Sequence, residues 1–297
     1  MKPDDIIGRI ASFLDAMTQR HLVKARNLVA LVPMNALLCL LLSSFFFIRT
    51  QVACAQCAAE NTAFRAGEEL YYDLYFNWKF IWVNAGTASM RITQSSFEGK
   101  PAFKTHLITR TSDRLDRFFM MRDTMVSIIT EDMTPRYYKK GANEGGRYYV
   151  DEVWFSYPEG KTHLRQRYQN RDGVVTEKTY DSPKCVYDML SQMLRARSFR
   201  VDNIRKGEKM LLPMADGHKV ENITLIYRGK ENFRMKSSGI TYPCLVFSFV
   251  EYPEGKEKEV ITFYISDDEN HIPVRLDLFL RFGVAKAYLS KSNGLRH

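Results

Sequence analysis

Residues suited to metal or acid–base chemistry are spread thinly along this 297-residue chain. None of the histidines beyond residue 56 stands in the HExxH spacing, which would place two imidazoles on one face of a helix. They are His106, His163, His218, His271 and His297. We therefore expect no metal site, no cofactor and surface or loop positions for these side chains.

An acidic run at residues 267–270 (Asp-Asp-Glu-Asn) precedes Pro273. Aspartate and asparagine hydrogen-bond their own backbone in tight turns, so a hairpin turn accounts for the run. A calcium loop would add a glycine at its sharp turn and a distal acidic ligand, and the sequence has no such loop. The run predicts a turn.

A serine follows an aspartate at helical spacing in Asp188-Met-Leu-Ser191. Neither a GxSxG elbow nor an SxxK motif surrounds Ser191, so the pattern does not indicate a nucleophile. We expect Asp188, Ser191 and Arg195 to tie a helix to a sheet by hydrogen bonds, and we assign no catalytic residue.

Aromatic side chains crowd around one break in the sequence. Tyr71, Tyr75 and Trp82 flank residues 77–79, and Trp78 lies within them. Flat rings fill protein cores, and in concave β-structures they also line sites for apolar or sugar ligands. We take these four residues as the candidate ligand-binding residues, with core packing as the alternative.

The elements that must position these residues are mostly strands. From Glu68 onward, apolar and polar residues alternate between turns rich in Gly, Pro, Asn and Asp. The glycine-rich stretch 141–146 predicts a hairpin loop, and a break after Arg228 predicts separate strands at 219–228 and 231–236. Two similar turns, Tyr-Pro-Glu-Gly, occur at 157–160 and 252–255.

One segment, about 184–197, has helical rather than strand periodicity. Its apolar residues are Val186, Met189, Leu190, Met193 and Leu194. Ser182 as N-cap and Pro183 in the first turn would start the helix. We predict a mainly β fold: one strongly curved antiparallel sheet or barrel, with this single amphipathic helix packed on it.

The amino terminus indicates export. Residues 28–48 are long and apolar enough to enter a membrane, follow basic residues, and precede Ala53-Cys-Ala55. We predict cleavage after Ala55, with residues 1–55 a signal peptide or anchor with a cytoplasmic lead-in and 56–297 one exported domain. An uncleaved anchor, lipidation at Cys54 and a start at Met34 are the alternatives.

Three cysteines follow the predicted cleavage site: Cys57, Cys185 and Cys244. Disulfides form and persist in the oxidising bacterial periplasm. A Cys185–Cys244 disulfide is therefore one prediction, with Cys57 left near the free terminus. Buried thiols that act as small apolar side chains are the other prediction.

The formal net charge is +9. Residues 1–55 contain six basic and three acidic side chains, so the remainder carries +6. There the two signs are interleaved, whereas nucleic-acid binding needs clustered basic residues. We expect no nucleic-acid partner, and membrane contact only through the N-terminal segment.

Three segments together resemble one family of exported bacterial proteins, domain of unknown function 3108 (DUF 3108). They are the opening stretch 67–92, the helix 186–195 and the closing residues 265–276 followed by Gly283. Residues 80–81 depart from the pattern between the tryptophans. The resemblance spans roughly residues 64–290 and implies a curved antiparallel sheet or barrel in the bacterial envelope, without established catalytic residues.

We therefore expect a non-enzymatic protein of the periplasm or cell envelope of a Gram-negative bacterium. It would bind a lipid-like or polysaccharide ligand in a concave β-structure. One alternative is an envelope hydrolase that uses a converging pair of carboxylates with perturbed pKa values. The other is a scaffold that binds envelope proteins through a broad exposed apolar patch.

Overall fold

A computed structural model describes residues 57–297 apart from 79–80, 118, 202–203 and 281–282, and only the backbone at Trp78. The described residues belong to one compact unit, Ala53–His297. The predicted signal or anchor segment and its cleavage after Ala55 lie outside the described residues.

The described chain is mainly β. Its fourteen strands are β1 (Glu69–Trp78), β2 (Ile81–Phe97), β3 (Lys100–Thr111), β4 (Met121–Thr130), β5 (Pro135–Glu144), β6 (Arg147–Ser156), β7 (Thr162–Gln169), β8 (Val175–Ser182), β9 (Lys209–Ala215), β10 (Val220–Arg234), β11 (Thr241–Glu251), β12 (Lys258–Ser266), β13 (Pro273–Leu280) and β14 (Gly283–Asn293). The helices are α1 (Asp113–Asp116) and α2 (Met189–Arg197), and short 3-10 turns form at Pro158–Gly160 and Pro253–Gly255.

All fourteen strands form one antiparallel sheet, in the order β8-β7-β6-β5-β4-β3-β2-β1-β14-β13-β12-β11-β10-β9. The first and last strands pair at its centre, and every other pairing joins sequence neighbours. The edge strands β8 and β9 are not paired with each other, so the sheet is not closed. The chain crosses from one edge to the other through residues 183–208, which contain α2.

Two predicted strand breaks are wrong. Gly141 lies inside β5, and the loop is confined to the turn at Gly145–Gly146. The two strands expected at 219–228 and 231–236 are one strand, β10, with a register shift between Tyr227 and Gly229. Glycine inside a strand often marks a bulge rather than an end, because it lacks the side chain that would resist the local bend.

Helix α2 begins later than the predicted position 184. Its N-cap is Asp188, whose carboxylate accepts hydrogen bonds from the amides of Leu190 and Ser191. Ser182 is instead the last residue of β8. Tyr187 cannot join the helix because its amide donates to the Pro213 carbonyl and its carbonyl accepts from Ala215, along the edge of β9.

The sheet curls around α2. This helix contacts both β4 and β9, which are nine positions apart in the sheet order. At about 4.8 Å per strand, that separation would be roughly 43 Å on a flat sheet, far wider than one helix. Leu190 accordingly shares a buried apolar cluster with Val153 of β6, Leu164 of β7 and Ala215 of β9.

A second, larger core links the two halves of the sheet. Leu70 and Tyr72 of β1, Met90 of β2 and Leu289 of β14 pack there with Leu194 of α2. Leu70 and Tyr72 are two positions apart on β1, which is the alternation that the sequence shows. The main core therefore lies where the first and last strands meet.

The observed disulfide joins Cys57 to Cys185, so the predicted Cys185–Cys244 pairing is wrong. Cys244 is a free thiol, fully buried in β11, and burial raises its pKa to about 11. Local contacts explain the pairing, since the Cys57 carbonyl accepts from the Tyr187 hydroxyl at 3.0 Å and from Arg195 at 3.3 Å.

A buried ion pair fixes the end of α2. The guanidinium of Arg197 donates to both carboxylate oxygens of Glu68, at 2.5 and 2.9 Å, and both side chains are almost fully buried. Arg197 also donates to the carbonyl oxygens of Ala63 and Asn270. One side chain therefore connects α2 to the segment before β1 and to the β12–β13 loop.

Candidate functional site

The most distinctive cluster of aromatic and charged side chains lies across the C-terminal strands, where three of its rings pack against the larger apolar core. In the strand register, Arg275 of β13 stands opposite Tyr264 of β12 and Tyr288 of β14. Phe233 of β10 and Tyr75 of β1 extend the group on either side. We call these five residues the aromatic–arginine cluster.

Arg275 lies among three aromatic rings. Its guanidinium carbon is 4.5 Å from the centre of the Tyr264 ring, 5.3 Å from that of Phe233 and 5.9 Å from that of Tyr288. These distances are in the range of cation–π attraction, which is stronger where water is excluded. The cluster therefore combines apolar surface with a positive charge that is only partly exposed to water.

An aspartate neutralises that charge from the same strand. Arg275 donates through Nε to Asp277 Oδ1 at 2.7 Å and through Nη2 to the other carboxylate oxygen. The ammonium of Lys286 lies 3.5 Å from the same carboxylate. Burial alone would lower the pKa of Arg275, but the hydrogen bonds that it donates to Asp277 and the attraction of that carboxylate act together to raise that pKa.

The sheet bends towards the face that carries this cluster. The rings of Phe233 and Tyr288 stack with centres 6.0 Å apart and planes 12° apart, although their strands are four positions apart. Four strand spacings amount to roughly 19 Å on a flat sheet, where side chains stand nearly perpendicular to the surface. The bend makes this face locally concave.

The cluster is suited to binding rather than to acid–base catalysis. Burial raises the pKa of Tyr264 and of Tyr288, so both phenols stay neutral in the physiological range. Asp277 is engaged by two cations and offers no free base. The group presents half-buried rings beside a fixed ion pair, which suits a ligand that stacks on rings and accepts hydrogen bonds.

Two of the four predicted ligand-binding residues join this region. The Tyr75 ring packs edge-to-face on Tyr288, with centres 5.7 Å apart. Trp82 is 44% exposed, and the ammonium of Lys286 lies 4.9 Å from its ring centre. Lys286 thus connects Trp82 to Asp277, a link that no local sequence pattern shows.

The other two predicted residues are placed differently. The Tyr71 hydroxyl donates to Glu69 at 2.9 Å, and Glu69 pairs with Arg91, so Tyr71 belongs to a separate polar group. Nothing is described of the Trp78 side chain. The cluster members contributed by β10, β12, β13 and β14 were missed because isolated aromatic and basic residues in strands carry no local signal.

The predicted helix contacts have a structural role. Asp188 is fully buried and accepts a hydrogen bond from the Ser127 hydroxyl of β4 at 3.0 Å, which ties α2 to the sheet. Burial raises the Asp188 pKa despite the hydrogen bonds it accepts. Ser191 bonds only within the cap, and Arg195 reaches the Cys57 carbonyl rather than the sheet.

A second polar cluster lies on β4, β5 and β6. Tyr149 accepts from Lys140 at 2.7 Å and donates to Glu144 at 2.9 Å, and Lys140 lies 4.0 Å from Asp123. Asp123 is 6% exposed, and burial raises its pKa to about 6. Its Oδ1 atom has no hydrogen-bond partner among the described residues.

Asp123 and Glu144 in this second cluster resemble the carboxylate pair of the hydrolase hypothesis. Asp123 and Glu144 repel each other electrostatically, which adds to the rise in the Asp123 pKa. The sequence offered one clue: Asp123, Met125 and Ser127 occupy every second position of β4 and therefore share one side of the strand. A polar residue in such a series is either paired or functional.

Metal ligands do not converge in the part of the chain that the structure describes. Nowhere in it do three His, Cys, Asp or Glu side chains approach closely enough to hold an ion. Within the same residues, neither helix has the length and apolar character that crossing a bilayer requires.

Comparison with solved structures finds a similar fold. The chain is similar to a beta-barrel-like protein of domain of unknown function DUF1849 from Brucella abortus, with a TM-score of 0.50 and 12% sequence identity. The similarity covers 78% of this chain and 99% of that one. At this identity the comparison supports the fold alone. No curated protein matches the chain.

A family model settles the relationship. The model described as protein of unknown function (DUF3108) matches residues 71–290, which run from the third residue of β1 to near the end of β14. It therefore includes α2, the C-terminal strands and all five residues of the aromatic–arginine cluster. The chain belongs to the DUF3108 family.

Proposed function

We propose that this protein is a non-enzymatic component of the bacterial cell envelope that binds a lipid-like or polymeric envelope ligand at the aromatic–arginine cluster. One observation carries the proposal: Arg275 lies among three half-buried rings on a face that bends around them. Rings supply stacking and apolar contact, and the guanidinium orients a polar or anionic group.

Export to the periplasm supports the envelope assignment. The apolar stretch 28–48 follows basic residues and precedes small residues that a signal peptidase accepts. The Cys57–Cys185 disulfide favours an oxidising compartment, because cytosolic thiols are kept reduced. Fusion of alkaline phosphatase after residue 66 tests this, since only a periplasmic fusion becomes active.

Ligand binding is tested by what the full chain carries when it is purified from its native envelope. Mass spectrometry of extracted lipid and glycan should find one class enriched over the surrounding membrane. An environment-sensitive dye should compete with that class. Protein that carries no enriched lipid or glycan and binds no dye would refute the proposal.

Two variants locate the binding. Arg275→Gln with Tyr264→Leu removes the cation and its nearest ring, and we expect at least a tenfold loss of ligand or dye affinity. The matched control is Arg165→Gln, which removes a cation that stacks at 3.9 Å on Trp154 in β6, outside the cluster. Equal losses in both variants would show that the cluster is not the site.

The second candidate function, an envelope hydrolase, rests on Asp123 and Glu144. Here the raised pKa of Asp123 would let it act as a general acid near pH 6. Turnover of envelope ester, amide or glycoside substrates by the wild type, lost in Asp123→Asn, would establish it. Absence of turnover with all three substrate classes would refute the hydrolase candidate and favour the binding function.

A scaffold role predicts a different result. A scaffold would hold envelope proteins rather than a lipid or glycan. Crosslinking in intact cells followed by purification should then recover stoichiometric protein partners, and the aromatic–arginine cluster variants should leave that recovery unchanged.

A further inference from the structure

We propose that the chain has a membrane-docking surface at one end of the sheet, formed by exposed apolar side chains on adjacent turns and matched to an anionic bilayer. The surface consists of Ile81, Trp82, Leu280 and Phe119, with three nearby cations, and we call it the tip surface. It goes beyond ligand binding at the aromatic–arginine cluster, and it adds a membrane contact to the predicted N-terminal one.

Two neighbouring hairpins form the centre of the tip surface. β1 ends at Trp78 where β2 begins at Ile81, and β13 ends at Leu280 where β14 begins at Gly283. Because β1 pairs with β14, the described ends of the two hairpins lie side by side. A side-chain carbon added at Gly283 would lie 2.9 Å from the Asn77 carbonyl oxygen, so the contact between the hairpins is close.

The β3–β4 connection lies at the same end of the sheet. The Ser112 amide at its start donates to the Ala85 carbonyl of β2 at 2.9 Å. Phe119 follows α1 and packs near the turn between β5 and β6, because a side-chain carbon added at Gly145 would lie 3.5 Å from its ring. The remaining part of that ring faces outwards.

Four large apolar side chains at this end of the sheet are exposed. Ile81 is 68% exposed, Phe119 50%, and Trp82 and Leu280 44% each. A soluble protein gains nothing from apolar side chains gathered on its turns, where polar residues prevail. Such residues at one end of a sheet mark a contact with an apolar phase or partner.

The charges indicate which partner fits. The ammonium of Lys286, which also pairs with Asp277, lies 4.9 Å from the Trp82 ring, and Arg114 and Arg117 are exposed in the β3–β4 connection. Of the acidic residues there, Asp113 is exposed, whereas the carboxylate of Asp116 is paired with Arg122. A tryptophan beside a cation is typical of the headgroup layer, where the ring enters the acyl boundary and the cation meets phosphate.

The geometry favours a bilayer over a protein partner. The apolar side chains stand on three separate turns rather than in one continuous groove, so a folded partner would contact them only at points. A bilayer accepts separate apolar groups at one depth and attracts cations through its anionic leaflet. We therefore assign the tip surface to an anionic lipid surface.

The test follows one tryptophan. The full chain carries Trp78→Phe and Trp154→Phe, so that Trp82 is the only tryptophan that fluoresces. A non-ionic amphipathic polymer covers the apolar N-terminal segment. The chain is titrated with vesicles of brominated phosphatidylglycerol, or of brominated phosphatidylcholine. We expect Trp82 quenching on the anionic vesicles and a several-fold weaker apparent affinity in 1 M salt, where charge interactions are screened.

Matched variants make the result specific. Ile81→Asp, and separately Leu280→Asp, should each weaken the apparent vesicle affinity by about tenfold or more. Leu211→Asp is the control, because Leu211 is also 68% exposed but lies in the edge strand β9. Circular dichroism confirms that each variant is folded, and Leu280→Asp serves if Ile81→Asp does not fold.

Three results would overturn the proposal. The first is unquenched Trp82 on anionic vesicles. The second is equal quenching of Trp154 in a chain with Trp78→Phe and Trp82→Phe, which would show nonspecific adsorption. The third is an affinity loss in Leu211→Asp as large as in the tip variants. Binding to phosphatidylcholine that equals binding to phosphatidylglycerol would refute the anionic preference.

Discussion

Asp123 provides the sharpest test of the structure. Its carboxylate is 6% exposed on β4, one oxygen has no hydrogen-bond partner among the described residues, and the nearest cation, Lys140, is 4.0 Å away. Burial is the largest cause of the rise in its pKa from an ordinary 3.8 to about 6. The folded protein therefore disfavours the ionised form of Asp123.

The sign of the pH dependence follows from proton binding. Between about pH 4 and 6 the folded chain holds a proton on Asp123 that the unfolded chain has already lost, so the free energy of unfolding falls as pH rises. A shift of about two pKa units corresponds to roughly 3 kcal/mol. This stability is fully present below about pH 4 and is lost above about pH 6.

The perturbation is Asp123→Asn, which cannot ionise. Relative to wild type, the variant should gain about 3 kcal/mol in its free energy of unfolding between pH 4 and pH 7.5. Its absolute stability at pH 4 can be lower, since the amide replaces a protonated carboxyl beside Lys140. The difference between the two pH values is therefore the quantity that the structure predicts.

The assay is urea unfolding of the full chain in non-ionic detergent at a series of pH values, followed by tyrosine and tryptophan fluorescence. Asp172→Asn, in the exposed turn before β8, is the control and should follow the wild-type curve throughout. If Asp123→Asn also runs parallel to wild type from pH 4 to 7.5, the burial argument for Asp123 is wrong.

The remaining predictions concern the links between α2 and the rest of the fold. Glu68→Gln should lower the free energy of unfolding by about 3–5 kcal/mol, because it leaves Arg197 charged and buried; urea unfolding measures it, and a Glu68→Leu/Arg197→Met double variant should recover part of the loss. Peptide mapping without reductant should find Cys57 linked to Cys185 and Cys244 free, and a Cys185–Cys244 peptide would contradict the structure. Cys57→Ser with Cys185→Ser should cost about 2–5 kcal/mol by the same unfolding assay, with Cys244→Ser as the smaller control.

Much of the fold was predictable from the sequence because strand alternation is a local property. Leu70, Tyr72 and Leu74 alternate in β1 and meet the core as the pattern indicates. The breaks were harder to interpret. Gly141 and Gly229 look like strand ends in a single sequence, yet both lie inside strands, because the paired neighbour supplies the hydrogen bonds that a local pattern cannot show.

The start of α2 and the disulfide needed information from distant residues. Pro183 fits a helix start locally. However, the backbone of Tyr187 is hydrogen-bonded to the edge of β9, so the helix begins only after Tyr187. Cys57 forms the disulfide with Cys185 because the fold brings it beside α2. Its place in the sequence indicates only that it lies near the terminus. Of the candidate site, Tyr75 and Trp82 were found and Arg275 was missed, since its three rings come from three other strands.

The pairing of β1 with β14 determines when the candidate site can form. These strands join residues more than 200 positions apart, as at Glu69 and Asn293, where the side chains lie 224 residues apart in sequence. A pairing between residues so far apart in sequence closes a long loop of chain, which costs conformational entropy and slows its formation. Tyr75 is on one of these strands, and Lys286 and Tyr288 are on the other. The aromatic–arginine cluster is therefore complete only when β1 and β14 have paired.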